Sequence, residues 1–285
     1  MTQVTNPTQP ASSLPGGGGG SNIIGAQTAN RLNGSSGDDI ILTFGGADVI
    51  AGGTGNDVIL SGGGNDSVGG GDGNDIIASG SGNDVVAGGS GDDRIFAGKG
   101  DDLVDGGDGN DVVSGDRGND TVLGGSGSDS VYGGQGNDIV DGGDGNDSVY
   151  GGKENDTVNG GGGNDFISGD RGADVLTGGG GSDTFYFFSS GGDYGVDTIT
   201  DFTPGEDKIR LKQGGVFSGL GSSFEASEFV VVSNFNASSP GATTTNKLVY
   251  DPTSGTLFFN GNNGVLTVAQ LQPGLTITSN NFELF

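Results

Sequence analysis

The sequence predicts an all-β protein whose central part is a right-handed parallel β-roll, a solenoid closed by a β-rich C-terminal cap, and three observations predict it. From Gly34 to Tyr186 the chain divides into seventeen consecutive nine-residue units with no insertion or deletion. The eighth residue of every unit is apolar, from Ile41 through Val104 to Leu176 and Phe185. The sixth is always Asp, and the fourth is Gly in every unit but one, which carries Glu154. A short fixed period is the signature of a solenoid, whose units bury an apolar face only by stacking on one another. Without that period, 66 glycines and 7 prolines in 285 residues would read as a disordered, low-complexity chain.

The elements follow in order. Residues 1–22 are rich in Pro, Thr, Ser and Gly, end in the run Gly16 to Gly20, and bury too little to order themselves, so they read as a flexible arm. Residues 23–33 hold a degenerate unit, Gly25 to Asn33, with Leu32 in the apolar place and Asn30 where Asp is expected. This reads as a capping coil. Residues 34–186 are the roll. In 187–285 the glycine density falls and strand-like runs appear at 197–202, 208–211, 229–232, 248–250, 256–259 and 275–278. Pro252-Thr-Ser between two of these runs predicts a hairpin turn. A solenoid needs such a cap, because its last coil would otherwise expose strand edges.

Within a unit, three residues around the apolar one make a strand about 10 Å long with its middle side chain inward, and six glycine-rich residues make the turn. Two units complete a coil. Units n and n+2 then stack about 4.8 Å apart, giving eight to nine coils and roughly 40 Å of parallel sheet. Stacking aligns the sixth-position carboxylates, which are Asp39, Asp48, Asp57, Asp66, Asp75, Asp84, Asp93, Asp102, Asp111, Asp120, Asp129, Asp138, Asp147, Asp156, Asp165, Asp174 and Asp183. Two carboxylates about 5 Å apart repel by about 3 kcal/mol at an effective dielectric of about 20. A divalent cation between them reverses the sign, and glycine-turn carbonyls supply further ligands. All-oxygen ligation of flexible geometry favours calcium.

The unit Gly-Gly-x-Gly-x-Asp-x-U-x, with U a large apolar residue, resembles the nonapeptide of the repeats-in-toxin (RTX) calcium-binding family over 34–186. The resemblance implies a calcium between loops n and n+2, held by both Asp side chains and alternating carbonyls. For one pair these are Gly52, Thr54 and Asp57 with Gly71, Gly73 and Asp75. Seventeen units allow at most fifteen such sites, and Glu154 weakens those that share its unit. The resemblance further implies folding on contact with calcium outside the cell, after export by the type I secretion machinery. Asp197 to Leu211 is similar to the segment that follows RTX arrays, and Asn281-Phe-Glu-Leu-Phe285 to an uncleaved export signal. The same five residues also read as a final strand of the cap.

Charge and composition narrow the function. A net charge of −27 argues against nucleic acid as a partner, and most of it lies in 34–186, with 28 acidic and 5 basic residues. With no Cys and no His, disulfides, thiol nucleophiles, the usual zinc sites and histidine-based triads are excluded, so no enzyme is expected. No apolar run of transmembrane length exists.

The expected role is a secreted calcium-binding structural or surface-associated component. The alternative is a carbohydrate-binding or adhesion module using the ninth positions of the odd units, among them Phe96, Tyr132, Tyr150 and Tyr186. A cell-surface glycan and self-association are the partners that face admits, beside the reading that β-formers merely suit an exposed sheet. Arg117 and Arg171, each in Gly-Asp-Arg-Gly, read as cations that neutralise neighbouring turns.

Overall fold

The computed structural model describes residues 2–4, 19–188, 195–212, 217, 220, 224–238, 246–261 and 264–285. The array is a parallel β-roll of two facing sheets, one built from strands of the odd units and one from strands of the even units. Units two apart pair in register, as in Ile59↔Ile77 and Ile77↔Ile95 on the odd sheet and Val86↔Val104 on the even sheet. Every eighth-position side chain is inward and no more than 3% exposed. These side chains form one apolar column continuous with the cap, from Ile23 to Phe282.

The strands are longer than the three residues expected. A typical one, Val49–Thr54, runs from the seventh position of one unit to the third of the next, and pairing resumes at Gly53↔Gly71 and Thr54↔Asp72. Glycine allows the main chain a positive φ at the second position (Gly53, 120°) without leaving the ladder. The turn is therefore reduced to Gly-x-Asp. A typical six-residue strand buries two residues, the apolar eighth and the small first.

Both sheets run on through the predicted cap. The odd sheet continues from Thr184–Phe187 into Lys208–Leu211 and Phe282–Leu284. The even sheet continues from Val175–Gly180 into Asp197–Ile199 and then Gly264–Gln270, Thr256–Gly261, Lys247–Asp251 and Phe229–Val231. The hairpin expected around Pro252 is present, with Asp251↔Thr256 its last pair. Residues 275–278 do not form a strand. Their apolar alternation buries Ile277, but the neighbouring sheet position is taken by Gly264–Gln270, a strand the sequence reading did not single out. At the other end Thr2–Val4 pairs in parallel with Asn22–Ile24, and Met1 and residues 5–18 of the predicted arm lie outside the described residues.

Candidate metal centre

The loops place all seventeen sixth-position aspartates inside the roll, each no more than 3% exposed. They form two columns, one per edge. In each column the amide of one Asp donates to Oδ1 of the Asp two units on, at 2.7 Å for Asp57 to Asp75 and 2.8 Å for Asp120 to Asp138. The columns reach beyond the array. Asn30 donates to Asp48 Oδ1 at one end, while Asp174 and Asp183 donate to Asp197 and Asp207 at the other. Those last two residues were missed as column members. Gly195-Val-Asp197-Thr-Ile-Thr and Gly205-Glu-Asp207-Lys-Ile-Arg keep the fourth to ninth positions of the repeat, Gly-x-Asp-x-U-x, and that partial motif was the signal.

The second oxygen decides what the columns are for. From Asp48 to Asp183, Oδ2 of every sixth-position Asp is buried without a hydrogen-bond partner. Such a group costs about 1–3 kcal/mol, more if charged. Asp39 differs, because Ser35 N and Oγ donate to its Oδ2 at 2.6 and 3.0 Å.

Around each orphaned oxygen the first position is small for a geometric reason. A Cβ on Gly52 would stand 2.3 Å from Asp57 Oδ2 and 2.5 Å from Gly70 O. Those two oxygens therefore face the same point from adjacent loops. Gly53 O and Gly55 O face the same gap, 1.9 and 2.1 Å from where Cβ atoms of Gly71 and Gly73 would lie. The carbonyl of Asp72 points back across it to Gly55 N at 2.7 Å.

One gap is thus lined by Asp57, Gly53 and Gly55 from one loop and by Gly70, Asp72 and Asp75 from the next. This corrects the expected grouping of carbonyls. Gly52 O faces the preceding loop at Gly34, and Gly71 O and Gly73 O face the following loop at Gly89 and Gly91. Carbonyl direction has no side-chain signature in the sequence.

Among the described residues there is no group of three or more His, Cys, Asp or Glu side chains able to hold a metal. An ion in such a gap would be held by two carboxylates and main-chain carbonyls, a donor set that fits calcium. The gaps are not equivalent. Thr43 and Ser61 donate from the first position to the carbonyls of Ser61 and Ser79, and Ser79 to that of Ala97. In these even-unit gaps a hydroxyl engages a carbonyl that elsewhere faces the carboxylate. Glu154 keeps the glycine-like backbone, with φ 71°, and its Oε2 accepts from Gly136 N at 3.0 Å.

Burial raises the pKa values of the sixth-position aspartates from Asp57 to Asp183 above the usual carboxylate range, with neighbouring carboxylates adding to the effect at most of them. Asp75, Asp84, Asp129 and Asp165 are pushed up to about 6, Asp93 and Asp120 to about 7, and Asp156 to about 8. The column is thus poised to lose protons when a cation enters.

Towards the C-terminal end of the array, ninth positions of the odd units carry an aromatic stripe on the outer face of the odd sheet. Tyr132 and Tyr150 stack at 5.1 Å between ring centres. The stripe continues through the seventh-position Phe166 to Tyr186 and Phe285, and Arg210 lies 5.0 Å over the ring of Tyr186.

Oxygen-only donor sets repeated along a parallel β-roll define a calcium-binding solenoid. The chain belongs to the RTX calcium-binding nonapeptide repeat family, whose model matches residues 15–43, 24–59, 42–77, 78–113, 87–122, 114–149 and 150–185, more than half of the chain. No curated protein matches it. Among solved structures the chain is similar to the extracellular lipase LipA from Serratia marcescens, at 16% identity and a TM-score of 0.27. That match covers 95% of this chain and 41% of the lipase, so the chain spans less than half the length of that protein.

Proposed function

We propose that the protein is exported, folds when it meets calcium outside the cell, and serves there as a structural or surface-associated component. The observation that carries the reading is the column of buried, unpartnered Asp oxygens from Asp48 to Asp183, which a divalent cation in each gap would satisfy. Calcium modules of extracellular proteins bind in the range of about 10⁻⁴–10⁻³ M. Such sites stay empty at resting cytosolic calcium, so the chain would remain extended for passage through a type I export channel, the route general to this family. The C-terminal residues form the final strand of the cap. Phe282–Leu284 pairs in parallel with Lys208–Leu211.

The hydroxyl-bearing gaps should fill last. Counting bound calcium by equilibrium dialysis should show two more tightly held ions in S61G/S79G than in the parent protein. An unchanged count would remove the special status of those gaps, and an ion-free parent would remove the calcium reading. The alternative function, carbohydrate binding or adhesion through the odd sheet, is favoured by the ring stack of Tyr132 and Tyr150. Replacing both by Ser should abolish cell-surface binding if that reading holds.

A further inference from the structure

The odd sheet carries a second column that neither the calcium sites nor the aromatic stripe uses. The third positions of the even units stand on consecutive rungs as Ser81, Lys99, Arg117, Gln135, Lys153 and Arg171. Four of the five basic residues in the array lie here. All four are exposed, and among the described residues none is in an ion pair. The matching positions of the odd units, on the other edge, carry Asp72, Asp108 and Asp144 on alternate rungs. Within an array of 28 acidic and 5 basic residues, four of the positive charges therefore stand in one line.

Within that line one arrangement occurs twice, 54 residues apart. Lys99, Asp116 and Arg117 line one open depression of about 310 Å³, and Lys153, Asp170 and Arg171 line another of about 410 Å³, joined there by Phe188 and Lys212. Asp116 and Asp170 hold φ values of 72° and 64°, while the same position on flanking rungs is Gly98, Gly134 or Gly152. Asp is one of the few residues with a side chain that adopts this conformation, helped by a local hydrogen bond. In both copies a serine fixes the carboxylate, with Ser114 Oγ and Ser168 Oγ donating at 2.7 Å. The same cation–carboxylate–cation arrangement thus recurs in two open depressions of the same edge.

We propose that this edge binds a linear acidic polysaccharide, its chain lying along the roll axis. Cations on adjacent rungs are about 4.8 Å apart and take successive sugar carboxylates, with each Arg able to do so bidentately. Asp116 and Asp170, set between cations, disfavour a purely phosphate-bearing polymer and accept hydrogen bonds from sugar hydroxyls. The inference rests on the calcium reading. Ion-free, residues 34–186 carry 28 acidic against 5 basic groups and repel any polyanion, whereas up to fifteen divalent ions more than cancel that excess. A second copy of the chain is the less favoured occupant, because its acidic edge has charges only on alternate rungs.

The test is calorimetric titration of the full chain in calcium with a short oligogalacturonate, below the length that gels. Binding should weaken with added salt and be absent for a neutral oligosaccharide. K99E/R117E/K153E/R171E should bind at least about ten-fold more weakly while its circular dichroism in calcium is unchanged. D116G/D170G should bind about three- to ten-fold more weakly without loss of thermal stability. Equal affinity of the reversed-charge variant, or a calcium-folded parent that ignores the oligogalacturonate or instead dimerises through this edge, would overturn the proposal. A circular dichroism spectrum unmoved by calcium would mean that the calcium reading had failed first and this proposal with it.

Discussion

In a chelating buffer the roll gains β structure as the pH is lowered from 8 to about 4.5 and loses it again on return. The sign follows from the aspartate columns. An Asp in the unfolded chain titrates near 3.9, whereas burial raises Asp93 and Asp120 to about 7 and Asp156 to about 8 in the fold. A group whose folded pKa is raised contributes stability that is fully present below the unfolded value and disappears as pH rises through the folded one. For this array that window runs from about 4 to 8. Above it, ion-free folding has to bury ionised carboxylates beside one another. Calcium inverts the dependence, because ligation needs the ionised form, so the calcium midpoint moves to higher concentration as pH falls. Circular dichroism across pH, with and without chelator, reads both slopes, and parallel slopes in the two conditions would show that the columns are not the sites.

The second large effect is steric. A Cβ at Gly145 would stand 1.5 Å from Gly127 O, at a φ of 143°. G145A should therefore cost about 2–5 kcal/mol, seen as a lower melting temperature in calcium and a higher calcium midpoint. Gly162, one turn away, is exposed and has only Asp144 Oδ1, at 3.7 Å, near its added Cβ. G162A should cost less than about 0.5 kcal/mol. Equal losses in the two variants would mean that the stacked turns are looser than drawn.

Much of this was legible in the sequence, because period and burial act through side chains. The inward column from Ile41 to Phe185 and the aspartates from Asp39 to Asp183 follow directly from the nine-residue repeat. What escaped lies in the main chain. Gly53 and its counterparts look like turn residues, yet they pair along the sheet. The direction of Gly52 O against Gly53 O depends on peptide rotation, which no residue type records. Asp197 and Asp207 were hidden by longer connections, since their columns advance by 23 and 24 residues where the array advances by 18. Near the C-terminus, alternation at 275–278 gave burial without a partner strand, because sheet position there is set by long-range pairing.

The central claim is that calcium in the gaps between coils holds the roll together. The direct test is far-UV circular dichroism of the full chain at neutral pH, titrated with calcium from chelator to the millimolar range, with magnesium as the control. The account predicts a cooperative rise in β signal near millimolar calcium and none with magnesium. A spectrum that is β-rich from the start and insensitive to calcium, or one that magnesium changes equally, would contradict it.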